Sequence, residues 1–537
     1  MSCSKDFPLI LIHPPAVSKR YLKTKFMPYG MAVVNAFLRE HGVPVVQYDF
    51  LMEYLFSSQE DPDYHNPERS FSQEQFFSFL SGAEDTGALG RFARKYGDRL
   101  PPDARIYAFS VVAYHQFWAA LLLGRYIRTV NPEAMIVFGG PFITIKPADA
   151  FVPYGVADYW IRGSGEIPLL MLHRMIQEKD GVKKEHIPGI VYVDGGKIHE
   201  KPRSQFRAED ERPPDFGGLS LSDYRYDHPV SGYETFFLPY RISKGCPSRC
   251  SFCTGRLVDR YDIKSGDKVV REIAELADTY GTVNFQLADA SINGHPRRLH
   301  EICTRLSAEA PAIKWYSYAK VNGFSPQLLE QVKRAGCFSL FWGVESAYEP
   351  TIRLLGKRFT LKSLYELIDE SIRLGIKNYI HLIYNTPRES TEDVLGLMGL
   401  IERYIDSDFV EFLPQRFLLE AHSLMYEHPE RYGLADIRRV NTGPFEREQY
   451  IYREPGLDFA EVEQRNRKHR RMLEDHLEWI RYKSILKRCR KSLLQHVPSR
   501  LLVTSGRLAR RFQPYQSLHH SMVRWLESQG REIREQL

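Results

Sequence analysis

The sequence predicts an α/β protein: a doubly wound, Rossmann-like parallel sheet, then a partial TIM-type barrel of six strand–helix units, then a mainly helical C-terminal region. Three observations predict it. Strand and helix signals alternate twice along the chain, over residues 1–200 and 235–429, which is the pattern of parallel sheets. A stretch with Pro202, Pro213, Pro214, Gly217 and Gly218 separates the two series at 201–234. Over 430–537 the alternation gives way to a charged pattern of helical period.

In the first series, residues 8–13 read as an apolar strand ending at Pro14 and Pro15, and 30–41 as a helix stopped by Gly42. Residues 43–48 read as the second strand. A polar, aromatic insertion over about 57–102 shows little periodicity. Residues 105–112 read as the third strand and 117–129 as a helix. The fourth strand, 134–138, ends at Gly139 and Gly140. The fifth, 157–162, ends at Gly163, Ser164, Gly165 and Glu166 before a helix over 167–178. Ligands of such sheets bind at the carboxyl ends of the strands, where small residues let the backbone approach them closely. No G-x-G-x-x-G follows the first strand, so a dinucleotide site is disfavoured.

In the second series, strands are expected at 236–242, 282–287, 314–319, 338–343, 377–383 and 408–412. Helices are expected at 267–279, 296–308, 325–335, 361–374 and 391–405. Barrel active sites lie at the carboxyl ends of the strands. Alternation in 315–318 puts two of Trp315, Tyr316, Ser317 and Tyr318 in the lumen. Trp342, His381 and Tyr384 are candidate walls of a substrate space.

The chain has 537 residues, 43% hydrophobic and 26% charged, which is ordinary globular chemistry. It excludes a disordered tail protein, a collagen and a small disulfide scaffold. The net charge of +6 is uneven: residues 464–537 carry +12 and the rest −6. Arg507, Arg510 and Arg511 lie near Leu501, Leu502 and Val503 in that basic tail. A solvated face, an anionic membrane surface and an acidic carrier are the readings it admits. Nucleic acid is not expected, because aromatic residues are not interleaved in a stacking pattern. The uncharged run between Arg105 and Arg125 has 19 residues but holds His115 and Gln116, so it reads as strand plus helix, not a membrane span. The first 15 residues show no cleavable apolar stretch. A cytoplasmic protein, open to peripheral membrane contact, is therefore expected.

Seven cysteines are too few for a disulfide framework, and three of them, Cys246, Cys250 and Cys253, fall within eight residues. They follow the first strand of the second series, on the face where barrels keep their active sites. Three thiolates spaced Cys-x3-Cys-x2-Cys can converge on one 4Fe–4S cluster, one short of the usual four ligands. Structural zinc would need a fourth ligand, for which His228 and His295 are isolated candidates.

This motif, with aromatic Phe252 before its last cysteine, resembles the radical S-adenosylmethionine (radical SAM) superfamily. The resemblance implies a cluster held by Cys246, Cys250 and Cys253, whose free iron binds S-adenosylmethionine. It implies that Phe252 backs the adenine and that Glu345, in Gly343-Val-Glu345-Ser346, contacts the nucleoside. Asp289 and Lys320 match further recurrent positions, and Gly356, Lys357 and Thr360 continue the pattern. The stretch 385–391 departs from the usual turn, because Asn385 and Arg388 stand where relatives have glycine.

The first series resembles the cobalamin-binding half of the superfamily's cobalamin-dependent class. Pro14, Pro15, Pro28, Gly30 and Asp49 match its opening. Ser110, Gly139, Gly140, Gly163 and Glu166 match its cofactor-facing strand ends. The Asp-x-His-x-x-Gly loop is absent and Phe142 stands where relatives often place histidine, so an axial histidine from the usual loop is not expected. The two resemblances together imply a cobalamin-dependent enzyme that methylates an unactivated carbon of a natural product, peptide or lipid. They also imply an electron donor such as flavodoxin or ferredoxin. The alternatives are a radical SAM cyclase or rearrangement enzyme and a corrinoid or iron–sulfur sensor without turnover.

Overall fold

The protein is described from a computed structural model, covering residues 7–16, 27–57, 72–83, 87–178, 180–203, 206–227, 234–440 and 449–493; of 55–57 and 479–493 the backbone alone is described.

The N-terminal half holds β1 (Leu9–His13), α1 (Tyr29–Glu40), β2 (Val45–Asp49), α2 (Phe50–Ser57), α3 (Gln73–Leu80), α4 (Ala88–Gly97), β3 (Ile106–Ser110), α5 (Tyr114–Val130), β4 (Met135–Gly139), α6 (Pro141–Ile145), β5 (Tyr159–Ile161), α7 (Glu166–Ile176), β6 (Ile190–Asp194) and β7 (Lys197–Glu200). Its sheet order is β2-β1-β3-β4-β5-β6-β7. The first five strands are parallel, and β6 and β7 extend the sheet antiparallel. The five expected strands are parallel as predicted, and an unexpected antiparallel pair widens the sheet. The aperiodic insertion is corrected, since α3 and α4 lie within it. Ser72 caps α3 in a reciprocal capping box with Gln75, and buried Phe76, Phe79, Phe92 and Tyr96 pack both helices onto α5.

Strand alternation sorts the core. Ile10 and Ile12 of β1 join the cluster under α5, whereas Leu9 and Leu11 join the cluster under α1 and α7. The uncharged run forms β3 and α5. Among the described residues no helix is long and apolar enough to cross a membrane.

The connecting stretch carries a short hairpin, β8 (Tyr226–Asp227) and β9 (Glu234–Thr235). The second half follows with β10 (Leu238–Tyr240), β11 (Ser243–Lys244), β12 (Asp262–Ile263), α8 (Gly266–Tyr280), β13 (Asn284–Leu287), α9 (Pro296–Glu309), β14 (Lys314–Ala319), α10 (Pro326–Arg334), β15 (Cys337–Glu345), α11 (Glu349–Leu354), α12 (Leu361–Arg373), β16 (Lys377–Tyr384), α13 (Thr391–Tyr404) and β17 (Val410–Arg416). The six-stranded sheet β10-β13-β14-β15-β16-β17 is parallel throughout, the expected partial barrel. Ser265, Ser325, Thr360 and Ser390 cap its helices by accepting backbone N–H groups. Trp315, Leu340, Trp342, Ile380 and Leu382 pack outward under those helices.

The C-terminal region adds α14 (Leu424–Glu427), the antiparallel hairpin of β18 (Ala435–Val440) and β19 (Gln449–Arg453), and α15 (Phe459–Leu493). The region is mainly helical among its described residues, as expected, and the hairpin is an unexpected addition to it. The charged pattern beyond residue 493, with the cluster of Arg507, Arg510 and Arg511, lies outside the described residues, as does His228.

Candidate functional site

The cysteine loop leaves β10 at the carboxyl edge of the barrel and is clamped from several sides. The backbone N–H groups of Ile242 and Ser243 and the Ser243 hydroxyl all donate to Asp289, at the end of β13. Further along, Ser251 donates its N–H to Leu355 O at 3.1 Å and its hydroxyl to Leu354 O at 2.8 Å, while its carbonyl accepts Met425 N–H. Gly356, at φ +74, lets this turn approach: a Cβ there would stand 3.0 Å from Arg249 O. The loop is therefore held at both ends by hydrogen bonds to neighbouring elements. Cys246 and Cys250 are half-buried and Cys253 is exposed. Burial pushes the thiols of Cys250 and Cys253 up, and each lies within electrostatic reach of the other two cysteines and of Lys357. Among the described residues no three His, Cys, Asp or Glu side chains meet closely enough for one metal ion. Thiolates that straddle a multi-atom cluster have no need to do so, and an all-thiol donor set facing one space fits an iron–sulfur cluster.

Beside the loop, β15 ends in a register shift between Gly343 and Glu345. Glu345 takes φ +68, a left-handed conformation uncommon for a residue with a side chain. Its carboxylate accepts from Lys357 Nζ at 3.0 Å, and the same ammonium donates to Gly343 O at 2.9 Å and lies over the Phe252 ring. Burial opposes the charge on Lys357, but Glu345 and Cys250 outweigh it and hold the pKa up. The half-buried Lys320 faces the cysteines too; burial lowers its pKa while Cys246 and Cys250 raise it. Inside the barrel, Tyr318, Phe341 and His381 form an aromatic wall. His381 Nε2 is buried without a hydrogen-bond partner among the described residues, and burial pushes its pKa down, favouring the neutral ring.

The second feature is a cavity of about 480 Å³ between the carboxyl edge of the first sheet and the first barrel loop. Its apolar floor includes Leu11, Ala108, Val137 and Ile161, and Ser110, Gly139, Gly140, Gly163 and Glu166 line it above. Gly140, at φ +98, leaves no room for a side chain: a Cβ would stand 2.5 Å from Val111 O. The far wall is Arg241, Lys244, Val258, Asp259 and Ala288, all from the barrel side. Lys244 Nζ donates to Ser164 Oγ at 2.9 Å across the junction. Arg241 Nε is buried without a hydrogen-bond partner among the described residues. An apolar slot beneath small strand ends, rimmed by a cation with a spare donor, fits an amide-rich corrinoid with a phosphate-linked tail. Burial pushes the carboxyls of Glu166 and Asp259 up, with Lys244 opposing in both.

The structure thus brings Cys246, Cys250, Cys253, Lys320, Gly343 and Glu345 to one edge, and Ser110, Gly139, Gly140, Gly163 and Glu166 to one cavity. Three residues differ from expectation. Asp289 turns both oxygens to the protein, accepting the N–H groups that start the cysteine loop. Ser346 is buried and accepts the Tyr348 N–H, which makes it the cap of a turn. Trp342 is corrected from substrate wall to core, with Nε1 bonded to Asn378. Tyr316 and Tyr318 face the lumen as the alternation requires. Sequence reasoning missed Glu211, Lys264, Ser251 and the pair His13–Asp49, whose partners are remote in the chain. A polar residue in an apolar strand, as at His13, was the available signal.

Residues 240–401 match the Radical SAM superfamily model. An uncharacterized methyltransferase of Pyrococcus horikoshii is 24% identical over 415 residues, covering 76% of this chain and 80% of that one. The structure of the radical S-adenosylmethionine methyltransferase TsrM from Kitasatospora setae, with cobalamin and [4Fe-4S] cluster bound, superposes with a TM-score of 0.57 at 18% identity, covering 82% of this chain and 81% of that one. The cobalamin-dependent radical enzyme OxsB, with aqua-cobalamin and S-adenosylmethionine bound, gives a TM-score of 0.63 at 15% identity, covering 94% and 71%. With the cysteine loop at the barrel edge and the slotted sheet packed against it, residues 240–401 form a radical S-adenosylmethionine domain, and the fold of the chain is that of TsrM and OxsB.

Proposed function

We propose that this protein is a cobalamin-dependent radical SAM methyltransferase that methylates an unactivated carbon of a small molecule, with natural products, peptides and lipids as the substrate classes. The observation that carries the reading is the shared cavity: Arg241 and Lys244, just ahead of Cys246, form one wall of the slot whose other wall is Gly139, Gly140 and Glu166. Two cofactor sites that share a wall suit a reaction in which one substrate carbon is served by both.

A cluster with S-adenosylmethionine supplies a radical that removes a hydrogen atom, and a corrinoid supplies a transferable methyl group. The chain's own residues hold and orient these. Cys246, Cys250 and Cys253 would ligate the cluster, leaving one iron open. Glu345, fixed by Lys357, would accept from the nucleoside or amino group, and Phe252 would back the adenine. Ser110, Gly139, Gly140 and Gly163 would admit the corrinoid tail. Tyr318, Phe341 and neutral His381 would wall the substrate and keep water from the reacting carbon. The electron donor is taken to be flavodoxin or ferredoxin, and the basic C-terminal stretch a contact for a membrane or an acidic carrier.

The test is anaerobic reconstitution with iron, sulfide and hydroxocobalamin, an absorption spectrum, and an assay for 5′-deoxyadenosine after dithionite and S-adenosylmethionine. Bound corrinoid with 5′-deoxyadenosine that disappears in Cys250→Ala is the expected result. 5′-Deoxyadenosine without corrinoid would move the reading to cyclisation or rearrangement. Neither, in protein with an intact cluster, would leave a sensor.

A further inference from the structure

A histidine stands in the wall of the corrinoid slot with one nitrogen committed and the other free. His13 is the last residue of β1, and its Nδ1 lies 2.9 Å from Asp49 Oδ1, with both side chains about 5% exposed. Asp49 closes β2 and is itself fixed: Oδ1 accepts the N–H groups of Leu51 and Met52, and Oδ2 accepts the Tyr224 hydroxyl. A carboxylate so occupied is an acceptor, so the proton of the His13–Asp49 contact sits on Nδ1. The nitrogen left to offer a lone pair to a metal is then Nε2. Among the described residues Nε2 has no hydrogen-bond partner. Strand alternation puts the ring on the side of Leu9 and Leu11, the face that carries the slot, and His13 and Leu11 both line it.

This histidine gives Nδ1 to a carboxylate, and its Nε2 is left for the slot that the residue lines. That is how metal-ligating histidines are held, the carboxylate fixing the tautomer and raising the basicity of the ligating nitrogen.

We propose that His13 Nε2 is an axial ligand to the corrinoid metal, presented from the end of a strand and not from the loop motif that this chain lacks. Asp49, and Tyr224 behind it, are positioning residues. The bond is donation of a lone pair that displaces water or the corrinoid's own base; no electron and no proton is transferred. The inference rests on the corrinoid reading above and concerns the same slot.

The full-length protein, loaded with hydroxocobalamin and reduced by one electron, would be studied by electron paramagnetic resonance. A parallel sample would be made with histidine carrying the heavy nitrogen isotope. Histidine ligation splits the cobalt lines into triplets in ordinary protein and doublets in labelled protein. Triplets that ignore the label would come from the corrinoid's own base, and unsplit lines from water or an open face; either overturns the proposal while leaving corrinoid binding intact. Protein that retains no corrinoid in its absorption spectrum would overturn the corrinoid reading and this inference together. His13→Gln should keep its corrinoid and lose the histidine splitting. Asp49→Asn should bind cobinamide, which lacks its own base, about tenfold more weakly.

Discussion

At Glu345 a carboxylate that is 8% exposed sits in a left-handed turn, and the ammonium of Lys357 is its partner. Removing one member of a buried pair costs about 3–5 kcal/mol, because the other is left uncompensated. Lys357→Met should therefore release Glu345 from its orientation and raise the Kd for S-adenosylmethionine by about tenfold or more. Equilibrium dialysis of cluster-loaded protein measures this, and unchanged binding would free Lys357 of the task. Asp289 makes a second prediction at this scale. Burial pushes its carboxyl up to about 6, against the opposing hydrogen bonds from Ser243 and Ile242. The raised value means that the folded form takes up a proton as pH falls through about 6, before the unfolded chain does. Its contribution to stability is present at low pH and declines as pH rises through that window. A protonated-carboxyl infrared band should appear below about pH 6 and be missing in Asp289→Asn. Glu345 was legible because a short run of sequence carries it. Asp289 was legible as a position but not in its task, which depends on backbone donors 46 and 47 residues away.

The turn after β16 shows how an element can depart in letters and agree in shape. Asn385 and Arg388, in place of glycines, keep φ values of +61 and +59, so the backbone retains the conformation that glycine favours. Glu389 holds this turn to α15: Oε1 accepts the Asn385 N–H at 2.6 Å and Oε2 lies 2.9 Å from His469 Nδ1. His469→Ala would leave a buried carboxylate oxygen unpaired, at a cost of about 1–3 kcal/mol. The expected result is a lower melting temperature by calorimetry, with wild-type cluster content; an unchanged melt would mean that α15 is held by its apolar face alone. Barrel strands and helices were legible because each has a strong period and a cap or glycine stop. The β6–β7 hairpin was missed although Gly195 and Gly196 mark its turn, because the strand–helix series was ended at the helix over 167–178. α3 and α4 were missed because their aromatic residues serve helix contacts in a stretch whose period is short. The β18–β19 hairpin was missed for a different reason, its strands alternating weakly among charged residues.

Across the whole molecule, the junction between the two halves is built on a carboxylate that neither half owns. Glu211, in the connecting stretch, is 1% exposed and lies 3.5 Å from Arg241, 3.8 Å from Lys244 and 3.5 Å from Lys264, while Tyr29 of α1 donates to it at 3.0 Å. Burial works to raise its pKa, but Arg241, Lys264 and Lys244 outweigh it and hold the carboxyl below the usual range. One residue thus ties the first sheet's helix to the strand that leads into the cysteine loop, and it stands in the wall of the shared slot. Such a hub is illegible in sequence: its partners are spread over α1, the cysteine loop and β12's end, and only folding brings them together. Glu211→Gln should leave two buried lysines and the half-buried Arg241 short of their counter-charge and cost about 3–5 kcal/mol. The sign with pH follows from the lowered value. The stabilisation is complete above the ordinary glutamate range, about 4.3, and is lost as pH falls through the folded value below it. The difference in melting temperature between wild type and Glu211→Gln should therefore be full at neutral pH and close as the solution is acidified below about 4. A variant that melts with wild type at neutral pH would show that the cations stabilise nothing through Glu211. A difference that persists unchanged in acid would show that its hydrogen bond from Tyr29, not its charge, holds the junction.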